Sequence, residues 1–187
     1  MSELARRLVH ACGSAVPLAY VAGVATWEEV RLLAIAGTLL ALALEALRLL
    51  AGFDHAIYDR LTREYEQDNL AGYALYAISG TVVMLLTDPA VGVPAVLMLT
   101  LGDPVSGLLS SGELRSMKRP RVLVGMFGVC FLLAVPFVSP VAAALGAAAA
   151  TVADGVKPVV RGYVIDDNLT IPPAAAVGML VGLRVVG

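Results

Sequence analysis

Apolar runs near residues 8–26, 30–51, 70–87, 91–110, 121–138, 140–153 and 169–187 take up most of this 187-residue chain, and only short polar links separate several of them. A helix needs about 20 mostly apolar residues to cross a hydrocarbon core about 30 Å thick. The chain therefore reads as an all-α, polytopic integral membrane protein with about seven transmembrane helices. The sixth run is short: its 14 residues, at about 1.5 Å each, reach about 21 Å. Its small residues over Ala142–Ala150 favour close approach of neighbouring helices, so a buried span is expected there, with Pro136 and Pro140 making the turn before it. Composition agrees: 59% hydrophobic residues, 15% charged and a mean hydropathy of +0.84 lie well outside the range of soluble domains, where about half the residues are apolar and about a quarter charged.

The formal net charge of −2 excludes a strongly basic nucleic-acid binder. Arg6 and Arg7 precede the first run as in a signal peptide, but no small-residue cleavage site leads into a soluble domain, so the run is read as the first span. Nothing marks a second domain or a long linker, and residues 1–187 read as a single membrane-embedded domain. Cys12 and Cys130 fall in apolar segments without metal or disulfide spacing and read as packing residues. Gly178 and Gly182 form a GxxxG pair that reads as helix packing rather than as a dimer signal, which leaves the oligomeric state open.

Alternating the spans puts the N-terminus and the 52–69, 111–120 and 154–168 links on one membrane face. That face collects Arg6, Arg7, Arg60, Arg63, Arg115, Lys118, Arg119, Arg121, Lys157 and Arg161, with Arg48 near it, whereas Arg31 and Arg184 lie toward the other. The positive-inside rule makes the basic face cytoplasmic, with the N-terminus inside and, for seven spans, the C-terminus outside. Within 52–69, Phe53, Ile57, Leu61 and Tyr65 recur every four residues among charges, which suits either an amphipathic surface helix or a solvated loop.

Ionisable residues within spans are costly and mark function or pairing. His10, Glu45, Arg48, Asp103 and Asp154 are in this position. Glu45 and Arg48 are three apart on one helix face and read as a pair that neutralises itself. Asp103 sits in Leu101-Gly-Asp-Pro104, where Gly102 permits close approach of a backbone or a phosphate and Pro104 interrupts the helical ladder, so its carboxylate reads either as a metal ligand or as a cap on a kinked helix. Asp166-Asp167-Asn168 stands directly before the last span. Its hard oxygens suit Mg²⁺ with a nucleotide phosphate, while the same triplet, with Asn168 as the N-cap, is a good helix start. Arg115, Lys118, Arg119 and Arg121 in the 111–121 link read as a positive-inside loop or, beside metal carboxylates, as a phosphate clamp. No Walker-type loop, protein-kinase signature, HExxH or GxSxG occurs.

Taken in order, these segments resemble the CTP-dependent polyprenol kinase family that includes dolichol kinase, phytol kinase and the yeast-type diacylglycerol kinase. The resemblance runs through Arg6-Arg-Leu-Val-His10, Glu45-Ala-Leu-Arg48, Leu101-Gly-Asp-Pro-Val-Ser-Gly107, the basic loop with Gly125, and most specifically Asp166-Asp-Asn-Leu-Thr-Ile-Pro172. Asp154 stands where the family pattern has Glu, and Lys118-Arg-Pro-Arg121 is a loose version of its Lys-Thr/Ser-x-x-Gly. The resemblance implies a lipid kinase that moves the γ-phosphoryl group of CTP, with Mg²⁺, to the hydroxyl of an isoprenoid alcohol (dolichol, polyprenol, phytol or geranylgeraniol type) or of a glycerolipid alcohol. It places Asp103, Asp166 and Asp167 on the metal, Asp103, Asp154 and Asp167 in catalysis, with Asp154 as ligand or base, and His10, Lys118, Arg121 and Asn168 on the nucleotide. A more distant likeness to phosphatidate cytidylyltransferases makes a CTP-dependent CDP-lipid synthase the alternative. A small transporter or structural subunit is a third reading; it requires charges spread through the membrane depth, whereas most here lie on one side.

Overall fold

In the computed structural model the described residues are 3–51, 62, 67, 69–110, 118–156, 159, 160 and 163–186. The surface-helix reading of 52–69, together with Arg60, Arg63, Arg115, Lys157 and Arg161, lies outside them, as does the side chain of Arg6. Every one of the seven apolar runs forms a helical unit. The first is split into α1 (Glu3–Cys12) and α2 (Ala15–Val21). The break falls at Gly13, where a Cβ would lie 1.6 Å from the hydroxyl of Tyr76, which therefore fits only against glycine. The others are α3 (Trp27–Ala51), α4 (Gly72–Leu86), the rod made of α5 (Pro89–Leu97), a π-turn (Met98–Gly102) and α6 (Asp103–Leu109), then α7 (Pro120–Ala134), α8 (Pro140–Gly155) and α9 (Asp167–Val186). A two-residue antiparallel pairing, β1 (Val159–Val160) with β2 (Tyr163–Val164), links α8 to α9.

The protein is thus an all-α membrane protein. Among the described residues three units, Trp27–Leu50, Pro89–Leu109 and Asp167–Val186, are long and apolar enough to cross a bilayer alone, and α4, α7 and α8 are shorter apolar helices. The rod is the centre of the bundle: 72% of its apolar window is buried, against 17% for α3. α3 instead exposes Leu32, Leu33, Leu39, Leu40, Leu47 and Leu50, as a helix facing lipid does.

Helix α3 starts with a reciprocal capping box, Thr26 N–H to Glu29 Oε2 at 2.7 Å and Glu29 N–H to Thr26 Oγ1 at 3.3 Å, which satisfies two of the otherwise orphaned end groups. It then supplies both end charges of its neighbour α4. Arg31 donates to the Met84 and Thr87 carbonyls at the C-terminal end of α4, at 2.9 and 3.2 Å. Glu45 accepts from Ala71 N–H at the N-terminal end, at 3.0 Å. Each charge opposes the helix dipole at its end and occupies a group that apolar surroundings would leave unsatisfied.

The short sixth helix buries the face that its small residues make, while Val141, Leu145 and Val152 are exposed on the other. Ala142, Ala143, Gly146, Ala147 and Ala150 are all enclosed. Gly178 and Gly182 pack against this same helix, where added Cβ atoms would come within 2.6 Å of the Leu145 carbonyl oxygen and 2.4 Å of Ala142 Cα. Backbones this close need glycine. Cys130 is buried in the core, but Cys12 is exposed, so the packing reading holds for only one of the two cysteines.

Candidate metal and phosphate site

The π-turn decides where Asp103 stands. Asp103 N–H donates five residues back to the Met98 carbonyl, and Pro104, next in line, has no N–H to offer the Leu99 carbonyl. That freed carbonyl instead lies 3.2 Å from His10 Nε2. Because a carbonyl only accepts, this contact is a hydrogen bond in the form of the imidazole that is protonated on Nε2. The same nitrogen is 3.9 Å from Asp103 Oδ2, and the His10 ring rests edge-on against Tyr76 with centroids 4.7 Å apart. Gly102 serves packing here rather than a phosphate: a Cβ would meet Met126 Cε and Cys130 Sγ of α7, each at 3.2 Å.

One turn along α6, Ser106 Oγ donates to Asp154 Oδ2 at 2.7 Å. Lys118 Nζ donates to the other oxygen of Asp154 at 2.7 Å and to Ser106 Oγ at 3.0 Å. Asp154 is wholly buried. Its position follows from α8, which carries it in the final turn, and Lys118 N–H is bound in turn to the Gly155 carbonyl at 3.3 Å. Arg7 of α1 adds a cation against α6: its guanidinium lies over Gly107, where a Cβ would fall 2.9 Å from Nε.

At the start of α9 the cap is Asp166, not Asn168. Asp166 Oδ1 accepts from Asn168 N–H at 2.9 Å and from Asn168 Nδ2 at 2.6 Å, because the helix begins two residues earlier than a cap at Asn168 requires. The buried Asn168 Oδ1 has no hydrogen-bond partner among the described residues. Asp167, the first helical residue, is turned toward the other carboxylates instead. Asp103, Asp154 and Asp167 each place one oxygen within 4.8 Å of the other two.

Carboxylates at such spacing repel one another by roughly 3 kcal/mol per pair at an effective dielectric of about 20, so the group favours a cation among them. The donor set fits a hard divalent ion. Oxygens on opposite sides of Mg²⁺ stand about 4.2 Å apart, and across Ca²⁺ about 5 Å, twice the metal–oxygen distance.

Of the residues read from sequence, the fold brings Asp103, Asp154, Asp167, His10 and Lys118 together, with Asn168 next to them. Asp166 is occupied as a cap, and Arg121 is exposed in the first turn of α7. Ser106, Tyr76 and Ser79 were not singled out from sequence, and Arg7 was read only as part of the basic opening. Ser106 had a signal, since it shares a helix face with Asp103 at a spacing of three. No family model, curated protein or solved structure matches the chain.

Proposed function

We propose that this protein is a Mg²⁺-dependent membrane lipid kinase that transfers the γ-phosphoryl group of CTP to the hydroxyl of an isoprenoid or glycerolipid alcohol. The observation that carries the reading is the meeting of Asp103, Asp154 and Asp167 from three different helices, with Lys118 against them. Phosphoryl transfer is mainly positioning and charge stabilisation, and this group supplies both kinds of part. Asp103, Asp154 and Asp167 would hold the ion, which when bound offsets charge on the phosphates. Lys118 is bonded to Asp154 and Arg7 lies over Gly107, one turn along α6 from Asp103, and the positive N-terminal end of α9 favours an anion there.

In the reaction the alcohol oxygen bonds to the γ-phosphorus, the bond to the β–γ bridging oxygen breaks, and CDP leaves with the electron pair. Both oxygens of Asp154 are already engaged by Ser106 and Lys118. It therefore holds Lys118 as well as offering a lone pair to the ion, and Asp103, whose side chain is 25% exposed against none for Asp154, is placed to take the hydroxyl proton. A lipid substrate is favoured by the exposed Leu8, Leu108 and Val124 on the helices that carry Arg7, Ser106 and Arg121. The bias of Lys118, Arg119 and Arg121 toward this end favours a cytoplasmic site.

The test is incubation of the purified protein in lipid with γ-labelled and α-labelled CTP and a panel of polyprenols and diacylglycerols. Label from the γ position on the lipid, with CDP released, supports the kinase. Label from the α position, with pyrophosphate released, replaces it with a cytidylyltransferase, and no labelled lipid from any donor, ATP included, rejects both.

A further inference from the structure

The carbonyl of Asn168 lacks the donors that an α-helix or a π-turn would give it. The N–H groups four and five residues on would belong to Pro172 and Pro173, and proline has none. Ser79, buried in the middle of α4, reaches across and donates to that carbonyl at 2.5 Å. The bland reading is a serine bonded back to its own helix, and the Tyr76 carbonyl is indeed 3.2 Å away. A hydroxyl has one proton, however, and the shorter contact takes it. The same device recurs at the other wall of the site, where Pro104 frees the Leu99 carbonyl for His10. Tyr76, three residues before Ser79 on the same helix face, packs against that His10 ring.

We propose that Ser79 is a positioning residue of the site: by holding the Asn168 carbonyl that Pro172 frees, it sets where the first turn of α9 presents Asp167 to Asp103 and Asp154. The inference rests on reading those three carboxylates as an ion site. It concerns the backbone at 168 and not the chemistry of transfer, so it is tested by ion binding without turnover. Loss of a group that orients a metal ligand costs about 10-fold or more in metal affinity.

The experiment is Mn²⁺ binding, followed by electron paramagnetic resonance, to the full chain in lipid nanodiscs as wild type, D167N, S79A, P172A and S79A/P172A. Restoring an N–H at residue 172 gives the Asn168 carbonyl a partner inside α9, so the effect of S79A should depend on it. S79A is expected to weaken Mn²⁺ binding about 10-fold in the wild-type background and less than about 2-fold in the P172A background, a coupling that independent sites do not show. Equal losses in both backgrounds, or no loss with S79A, overturn the proposal while D167N still abolishes binding and the ion site stands. Wild-type affinity in D167N overturns the ion site itself, and the proposal with it. Should S79A not fold, recovery of folded, Mn²⁺-binding protein in S79A/P172A supports the proposal and failure to recover overturns it.

Discussion

Glu45 and the aspartate group show two ways of keeping carboxylates in apolar surroundings. Glu45 is saturated: Arg48 meets both its oxygens, at 3.1 and 2.6 Å, Ala71 N–H donates at 3.0 Å, and Tyr73 donates its hydroxyl. Arg48 is spent as well, on the Gln67 and Asn69 carbonyls at 2.8 and 2.6 Å. The charge is consumed in joining α3 to α4. Asp103, Asp154 and Asp167 are instead turned toward one another. Stability does not require that arrangement, because clustered like charges cost free energy in a low dielectric. An ionisable group of the first kind is spent on structure, and a cluster of the second kind is where we propose the ion binds.

The largest expected effect breaks or upholds this contrast directly. Asp103→Asn and Asp167→Asn should each lower lipid phosphorylation by about 100-fold or more, the scale of removing one electrostatic element of a transition-state site, while the protein stays folded by circular dichroism. Wild-type rates in both variants would make the cluster structural. Glu45→Gln should do the reverse. Leaving Arg48 buried opposite a neutral amide should lower stability by about 3 kcal/mol, read as a lower melting midpoint, with an unchanged Mg²⁺ dependence of the folded fraction. An unchanged midpoint with a shifted Mg²⁺ curve would move Glu45 into the ion site.

A smaller effect tests what brings Asp154 and Asp167 to one place. Gly178→Ala puts a methyl group against the Leu145 carbonyl and should cost about 1–3 kcal/mol by overpacking, with weaker ion binding because α8 and α9 carry the two carboxylates. Gly37→Ala, with nothing within 4 Å of the added methyl, is the control and should be neutral or stabilising by up to about 1 kcal/mol. The smallest effect separates cap from ligand. Asp166→Ala should cost about 1 kcal/mol of stability and Asp166→Asn much less, since both Asp and Asn cap, and turnover at saturating Mg²⁺ should be that of the wild type in each. A changed Mg²⁺ curve in Asp166→Asn would extend the ion site to this residue.

Helix positions, the fold class, the close-packed small-residue face of the sixth helix and the pairing of Glu45 with Arg48 were all determined by the sequence itself, because each follows from local quantities: run length against bilayer thickness, side-chain volume, and spacing of three on a helix. Asp166 and Asp167 are adjacent and chemically alike, and no local rule says which one caps the helix and which one faces Asp154. Only the tertiary structure decided that, through the residue at which α9 begins and the line along which it crosses α8. It also decided that Ser79 and His10 take up carbonyls freed by Pro172 and Pro104. Sequence shows that a proline leaves a carbonyl without its helical partner, but the donor that replaces it comes from another helix, 89 residues away in both cases, and which residues meet across such a distance is set by packing alone.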